Sequence, residues 1–218
     1  MTTKTRTAES VTVGHPDRLA NQIVDAILDD LYTQDINTHA GIEAFLLKGT
    51  VVVGGEVSTN GYSNIDKIVR ETIVNTGYTR AKYGLDGYNT GGLNGIIPQS
   101  PEIANGVNHA LENKNGSTDS YDLIGAGDQG VIFSYATNDN EAYFPVEATL
   151  ANSLTERLED IRKTTTEHIL RPDGKSQVTL EYVEGRPTKI QTVVISTQHS
   201  PKISLQELRE YVIENIIK

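Results

Sequence analysis

The sequence predicts an α+β protein built of two similar units, each a small, mainly antiparallel sheet with helices packed on one face. Three observations predict it. Apolar residues recur at helical spacing in four segments, paired β-rich runs are joined by short glycine-containing turns, and the order helix, strand, strand, helix occurs twice within 218 residues. Little direct identity links the two halves, so the repeat rests on the order of elements.

The first helix opens at Pro16 and Asp17 and carries Leu19, Ile23, Ile27 and Leu31 on one stripe, with proline at the first helical position, where a missing N–H is harmless. Ile42 to Leu47 and Val51 to Val57, separated by Lys48-Gly49-Thr50, predict a hairpin. Helical periodicity returns from Asn64 to Thr76 through Ile65, Ile68, Val69, Thr72 and Ile73, with Ser63 expected as its N-cap. Residues 84–123 are rich in Gly, Asn, Ser and Asp and poor in core residues, which predicts one long loop. Within it, Gln99 to His109 suits a closing segment, and Glu112 to Ser120 is expected to be disordered. Val131 to Ala136 alternates like a strand.

In the second half, Leu150, Leu154, Leu158 and Ile161 predict a helix over 147–163. Gln177 to Val183 and Lys189 to Thr197 predict strands joined by Glu184-Gly185-Arg186-Pro187. Ser204 with Glu207 three residues later is a capping-box pattern, and it starts a last helix through Leu205, Leu208, Val212, Ile213 and Ile216.

Composition narrows the function. The formal net charge of −10 repels a nucleic-acid backbone, so a small anion would need a local cationic or metal-assisted pocket. Cysteine is absent, which excludes disulfides and thiolate metal sites and fits a reducing cytoplasm. The polar start, Met1 to Thr7, shows no secretory signal, and no apolar run is long enough to span a membrane, so a soluble, cytoplasmic protein is expected. A Walker loop, paired metal-ligating histidines and a nucleophile elbow are all missing.

Several short segments nevertheless concentrate chemistry. Gly125-Ala126-Gly127-Asp128-Gln129-Gly130 sets one carboxylate among glycines that admit a second backbone or a flat ligand, although the same hexapeptide also reads as a turn before a strand. Gly14-His15-Pro16-Asp17-Arg18 puts an imidazole, a carboxylate and a guanidinium at a helix N-terminus, where free N–H groups and the dipole attract anions and Asp17 suits a hard cation. Alone, those residues equally describe a capped helix with a surface histidine. Arg171-Pro172-Asp173-Gly174-Lys175-Ser176 offers cations, a carboxylate and a hydroxyl, and Pro-Asp-Gly is also an ordinary turn signal. Glu43 and Glu56 stand in β-runs, where strand alternation alone can turn a carboxylate to solvent.

Six motifs stand in an order that resembles the methionine adenosyltransferases, or S-adenosylmethionine synthases, over nearly the whole chain: Glu9-Ser10 with Gly14-His15-Pro16-Asp17, Val53-Gly54-Gly55-Glu56, Gln99-Ser100-Pro101, Gly125 to Gly130, Arg171 to Val178, and Ser196 to Ser200. The resemblance implies synthesis of S-adenosylmethionine from ATP and L-methionine: the sulfur attacks ribose C5′, the triphosphate leaves, and it is then hydrolysed. It implies that His15 and Lys175 act on the triphosphate, with Asp173, Gly174, Asp128 and Arg18 also on ATP. It assigns Glu56, Gln99 and Asp128 to methionine, Asp17 to Mg2+ and Glu43 to K+. Residues 99–109 match the family's mobile active-site loop.

The resemblance also implies three units with pseudo-threefold symmetry, of which this chain has two: 1–12 with 137–218 as a discontinuous first unit, and 13–136, including a flexible loop 84–123, as the central one. Active sites between subunits of a homodimer or dimer of dimers are expected, with no nucleic-acid or membrane partner. Two departures stand out. Arg18 replaces the family's usual lysine, and the family's third unit, with its second glycine-rich motif and further cationic residues, is absent. Ile213 to Lys218 is still in helical register without a stop signal, as in a chain that continues. The competing expectation is a non-catalytic nucleotide- or methionine-binding or regulatory subunit.

Overall fold

Two apolar stripes organise the first core. Leu19, Ile23, Ile27 and Leu31 of α1 (Pro16–Gln34) are all buried, and they meet Val69 and Ile73 of α2 (Ile65–Thr76) over one face of a sheet. The computed structural model describes residues 2–123, 125–165 and 169–218; residues 1, 124 and 166–168 fall inside the expected unit ranges but outside the described residues.

That sheet contains β2 (His39–Leu47), β3 (Thr50–Ser58) and β4 (Gly91–Pro98) in that order, with β2 antiparallel and β4 parallel to β3. Ile42 of β2 and Val51 and Val53 of β3 face the helices, while Glu43, Phe45 and Leu47 face the open side, as a period of two requires. The second sheet has the order β1 (Thr3–Val11), β5 (Leu170–Val183), β6 (Arg186–His199), all antiparallel. Val178, Leu180 and Tyr182 of β5 pack on α5 (Val146–Thr164), and Leu170 joins the cluster of α5 and α6 (Leu205–Val212). Each fully buried Leu, Ile or Val side chain stabilises by about 1.5–3 kcal/mol. The α+β architecture of two small, mainly antiparallel sheets with helices is therefore the one the sequence predicts.

Local chemistry sets the element ends. Ser204 accepts from the Glu207 N–H at 3.3 Å while Glu207 accepts from the Ser204 N–H at 2.9 Å, the reciprocal capping box. The chain then widens into a π-helical turn, Ile213–Ile217. At α2 the cap is Asn64, whose side chain accepts from Lys67 N–H at 3.1 Å; the expected cap, Ser63, instead gives its hydroxyl to Asp30. Helix α2 ends in a left-handed Gly77, φ 107°, which lets Tyr78 N–H reach back to the Ile73 carbonyl at 3.1 Å and turns Tyr78 into the core.

Four more expectations need correction. The stretch 84–123 is not one loop: β4 pairs along β3, and α3 (Pro101–Val107) and α4 (Leu111–Lys114) follow, with a 3-10 turn at Ser120–Leu123. β4 leaves little trace in the sequence because Gly91, Gly92 and Gly95 dilute its apolar alternation, and parallel pairing needs no adjacent turn signal. The expected disorder at 112–120 is replaced in part by α4 and by a Ser117 hydroxyl to Asp122 bond of 2.7 Å. The strand expected at Val131 to Ala136 is an exposed non-strand segment, with Ile132 and Phe133 each 90% exposed; apolar alternation makes a strand only where a sheet edge pairs it. The Pro-Asp-Gly segment is likewise no free turn but part of β5, at a register irregularity between Leu170 and Gly174.

The turn between β1 and α1 is held against β5. Thr12 gives its N–H to the Gly174 carbonyl at 2.9 Å and its hydroxyl to the Pro172 carbonyl at 2.7 Å. Gly14 lies flush on Pro172, where an added Cβ would stand 2.3 Å from the carbonyl oxygen. Gly14→Ala is therefore expected to lower the unfolding free energy by about 2 kcal/mol in urea denaturation. Gly106→Ala, whose Cβ would meet open space within α3, should change it by less than about 1 kcal/mol.

Candidate active site

The residues singled out by motif gather in two separate clusters. The first forms where the N-terminus of α1 meets β5. His15 caps α1: its Nδ1 accepts from the Asp17 N–H at 3.3 Å, so the neutral ring carries its proton on Nε2 and presents a donor. Asp17 is extended into solvent, 94% exposed, with its carboxylate 3.9 Å from His15 Nδ1. Asp173 and Lys175 lie two residues apart on β5, on the face opposite the buried Pro172, Gly174 and Ser176, so alternation turns both away from α5.

Asp173 is the electrostatic centre of this cluster. Burial raises its pKa above the usual aspartate value, against the pull of the His15 and Lys175 charges and a hydrogen bond from the Gly174 N–H. It lines a cavity of about 220 Å³ with Gly14, Pro16, Lys48, Tyr78 and Gln198. Gln198 gives Nε2 to the Tyr83 carbonyl at 2.8 Å, while its buried Oε1 has no hydrogen-bond partner among the described residues. A half-buried carboxylate beside a free amide oxygen suits hydroxyl and amino donors of a polar ligand.

The second cluster lies at the far end of β3. Glu56, Gln99, Asp128, Tyr32 and His39 line one cavity of about 620 Å³. Gln99 continues the parallel pairing by giving its N–H to the Val57 carbonyl at 2.9 Å, and its buried Oε1 is also unpartnered. The Gly125 to Gly130 segment rests on the end of α3: an added Cβ at Gly125 would lie 1.8 Å from the Val107 carbonyl oxygen, whereas Gly127 faces open space. Asp128 is thereby carried to the cavity, its Oδ1 accepting from the Gln129 N–H at 2.7 Å. Two carboxylates and two amide or imidazole groups around one space suit an ammonium-bearing ligand.

Two candidates stand apart. Glu43 is exposed on the open face of β2, opposite Gly54, and lines neither cavity. Arg18 lines a different groove with Asn152, Glu156, Glu159 and Asp160, among carboxylates rather than beside Asp173. Among the described residues no three His, Cys, Asp or Glu side chains converge as a metal site, and no helix is long and apolar enough to cross a membrane. Sequence reasoning missed Gln198 and Tyr78. Gln198 stood inside a quoted motif without a role, and Tyr78 carried no signal beyond following a helix-ending glycine.

Each cluster joins residues of two ranges that match known proteins separately. Residues 3–101 match the model of the S-adenosylmethionine synthetase N-terminal domain, and residues 123–218 match that of the central domain. The chain is 50% identical over 215 residues to the S-adenosylmethionine synthase of Pseudothermotoga lettingae, 49% over 212 residues to that of Kosmotoga olearia, and 46% over 211 residues to that of Clostridium tetani. Each match covers 97% of this chain and 54% of the relative, so the chain spans about half the length of the curated relatives it matches. β1, inside the first matched range, pairs with β5, inside the second.

The raised Asp173 pKa has a sign. Below the ordinary value of 3.8 the group is protonated folded and unfolded; as pH rises through the higher native value, the folded state loses stability relative to the unfolded chain. Asp173→Asn should therefore raise the melting temperature at pH 7, with a gain that shrinks toward zero as pH is lowered below 3.8, measured by thermal denaturation across pH.

Proposed function

Since the chain belongs to the S-adenosylmethionine synthetase family, carrying its N-terminal and central domains, we propose that it forms the ATP- and methionine-handling part of a methionine adenosyltransferase. The single observation that supports this reading is the gathering of family-like motif residues into two places: Glu56, Gln99 and Asp128 line one cavity, and Asp173, which lines the other, has His15 and Lys175 as its charged neighbours. On this reading the units are 1–12 with 137–218, and 13–136.

In the reaction a carbon–sulfur bond forms at ribose C5′ as the carbon–oxygen bond breaks, the electron pair leaving with the triphosphate; water then splits the triphosphate to phosphate and diphosphate. The transition state gains negative charge on the leaving oxygen, so fixed donors and cations there do most of the work. His15 Nε2–H supplies a donor at the helix N-terminus, and Lys175 supplies a mobile cation two residues beyond Asp173. Asp173 accepts from the ribose hydroxyls. Glu56 and Asp128 balance the methionine ammonium, and Gln99 Oε1 accepts a hydrogen bond from it.

Asp17, exposed and lightly held, fits a single protein carboxylate on a magnesium ion otherwise ligated by phosphate oxygens, which would neutralise phosphate charge. Glu43 is one isolated carboxylate and does not by itself make a potassium site, so no step is assigned to it. Arg18 is left with a phosphate role only if its side chain leaves the carboxylate groove. A homodimer is proposed because Phe45, Leu47 and Ile97 remain exposed on the open face of the first sheet beside Glu56, and because the two clusters lie apart, as halves of sites completed across subunits would. The cysteine-free composition and the metabolite substrates support a cytoplasmic setting.

Calorimetry and an activity assay test the reading together. ATP with magnesium and methionine should each bind; His15→Ala and Lys175→Ala should each weaken ATP by about 10- to 100-fold, and Glu56→Gln should weaken methionine comparably while leaving ATP unchanged. Formation of S-adenosylmethionine, followed by mass spectrometry with magnesium and potassium present, would establish turnover. Binding without turnover favours the alternative of a non-catalytic nucleotide- and methionine-binding subunit, and failure to bind either ligand rejects the site.

A further inference from the structure

Tyr78 is 5% exposed, and its ring packs in the core with Leu19, Ile73 and Leu85, yet its hydroxyl emerges at the cavity that contains Asp173. It gives its one proton to the Gly14 carbonyl oxygen at 2.6 Å. We propose that Tyr78 is a positioning residue for the candidate triphosphate site, holding the Gly14–His15 peptide so that the imidazole presents Nε2–H to a bound anion. The inference rests on the nucleotide reading above and adds to it a residue from outside the motifs.

The argument starts from Gly14. Glycine lacks the side chain that would restrain its own dihedrals, so the peptide preceding His15 is held from outside. On one side it lies against Pro172, and the Thr12 bonds to Pro172 and Gly174 fix the chain before it. On the other side the Tyr78 hydroxyl is the hydrogen bond that orients its carbonyl. The His15 N–H of the same peptide donates to the Thr12 carbonyl at 3.1 Å, so this bond holds one edge of the peptide and Tyr78 holds the other; without Tyr78 the carbonyl edge keeps only its non-directional packing on Pro172.

The donor is dependable. Burial first, and the neighbouring Asp173 charge second, raise the phenol pKa, outweighing Arg162, so the hydroxyl stays protonated. It bonds Gly14 and leaves the Asp173 carboxylate available to a ligand. Tyr78 is itself seated from two directions. The left-handed Gly77 turns it inward, and Arg162 of α5 donates to the Thr76 carbonyl at 3.0 Å while its guanidinium occupies the space a Gly77 Cβ would take. Arg162 is 12% exposed and held by Glu159 through its Nε at 3.0 Å. Both units of the fold thus converge on the angle of one peptide.

The test compares Tyr78→Phe with Tyr182→Phe in the 218-residue chain. Tyr182 also donates a buried 2.6 Å hydrogen bond, to Glu147, but far along β5 from His15. In Tyr78→Phe the imidazole carbon–hydrogen resonance of His15 should move while those of His39 and His199 stay. ATP affinity by calorimetry should fall about tenfold, and methionine affinity should stay within about twofold. Tyr182→Phe should lower the melting temperature without either effect. Arg162→Lys, which loosens the seat without touching the phenol, should move the His15 resonance in the same direction, and it serves if Tyr78→Phe does not fold. An unmoved His15 resonance, an equal shift in Tyr182→Phe, or equal weakening of both ligands overturns the proposal. If the unsubstituted chain binds no ATP, the nucleotide reading fails by itself, and the His15 resonance still decides the role of Tyr78.

Discussion

A glycine lying on a proline holds the candidate site together. Because Gly14 has no Cβ, the turn that begins α1 can settle against Pro172, and Thr12 can reach two carbonyls of β5. The chain thereby crosses from the sheet of β1, β5 and β6 to the helix that covers β2, β3 and β4 at the point where His15, Asp173 and Lys175 come together. Any bulkier residue at position 14 would separate the imidazole from the strand that carries its charged neighbours. One absent methyl group therefore determines both how the two units dock and what chemistry appears between them.

The same junction holds a group that does the fold no favour. Asp173 is half-buried, and burial outweighs the opposing pull of its neighbours and holds its pKa above the usual aspartate value, a state that weakens the folded chain at neutral pH. Strain of this kind is expected where a carboxylate is kept for a ligand, because an ion pair geometrically ideal for stability would leave it no free acceptor. The Oε1 atoms of Gln198 and Gln99, without a hydrogen-bond partner among the described residues, repeat the pattern in the two cavities. Against a net charge of −10, a small anion can be held here because the His15 donor, the Lys175 cation and a helix N-terminus lie close together.

Legibility followed periodicity. α1 was readable because Leu19, Ile23, Ile27 and Leu31 form an uninterrupted stripe, and all four are buried. The capping box of α6 was readable because it is a bond between residues three apart. β4 was not, since its glycines carry no pattern and its partner lies more than thirty residues upstream. Val131 to Ala136 shows the converse: the alternation is present, but no strand pairs with it among the described residues. Motif residues were recognisable as candidates, yet their grouping was not, and Arg18 and Glu43 fell outside the clusters that His15 and Glu56 joined.

By itself, the sequence determined whatever depends on near neighbours: the helical stripes, the hairpin of β2 and β3, the proline start of α1, the α6 cap, and the presence of family-like motifs. The tertiary structure decided which motifs share a cavity, how Asp173 is desolvated, and that Tyr78 and Arg162 brace a turn far from them in the chain. The physical reason is range. Side-chain periodicity and capping act within one or two turns, whereas burial and electrostatics depend on contacts between residues whose separation in sequence leaves no local trace.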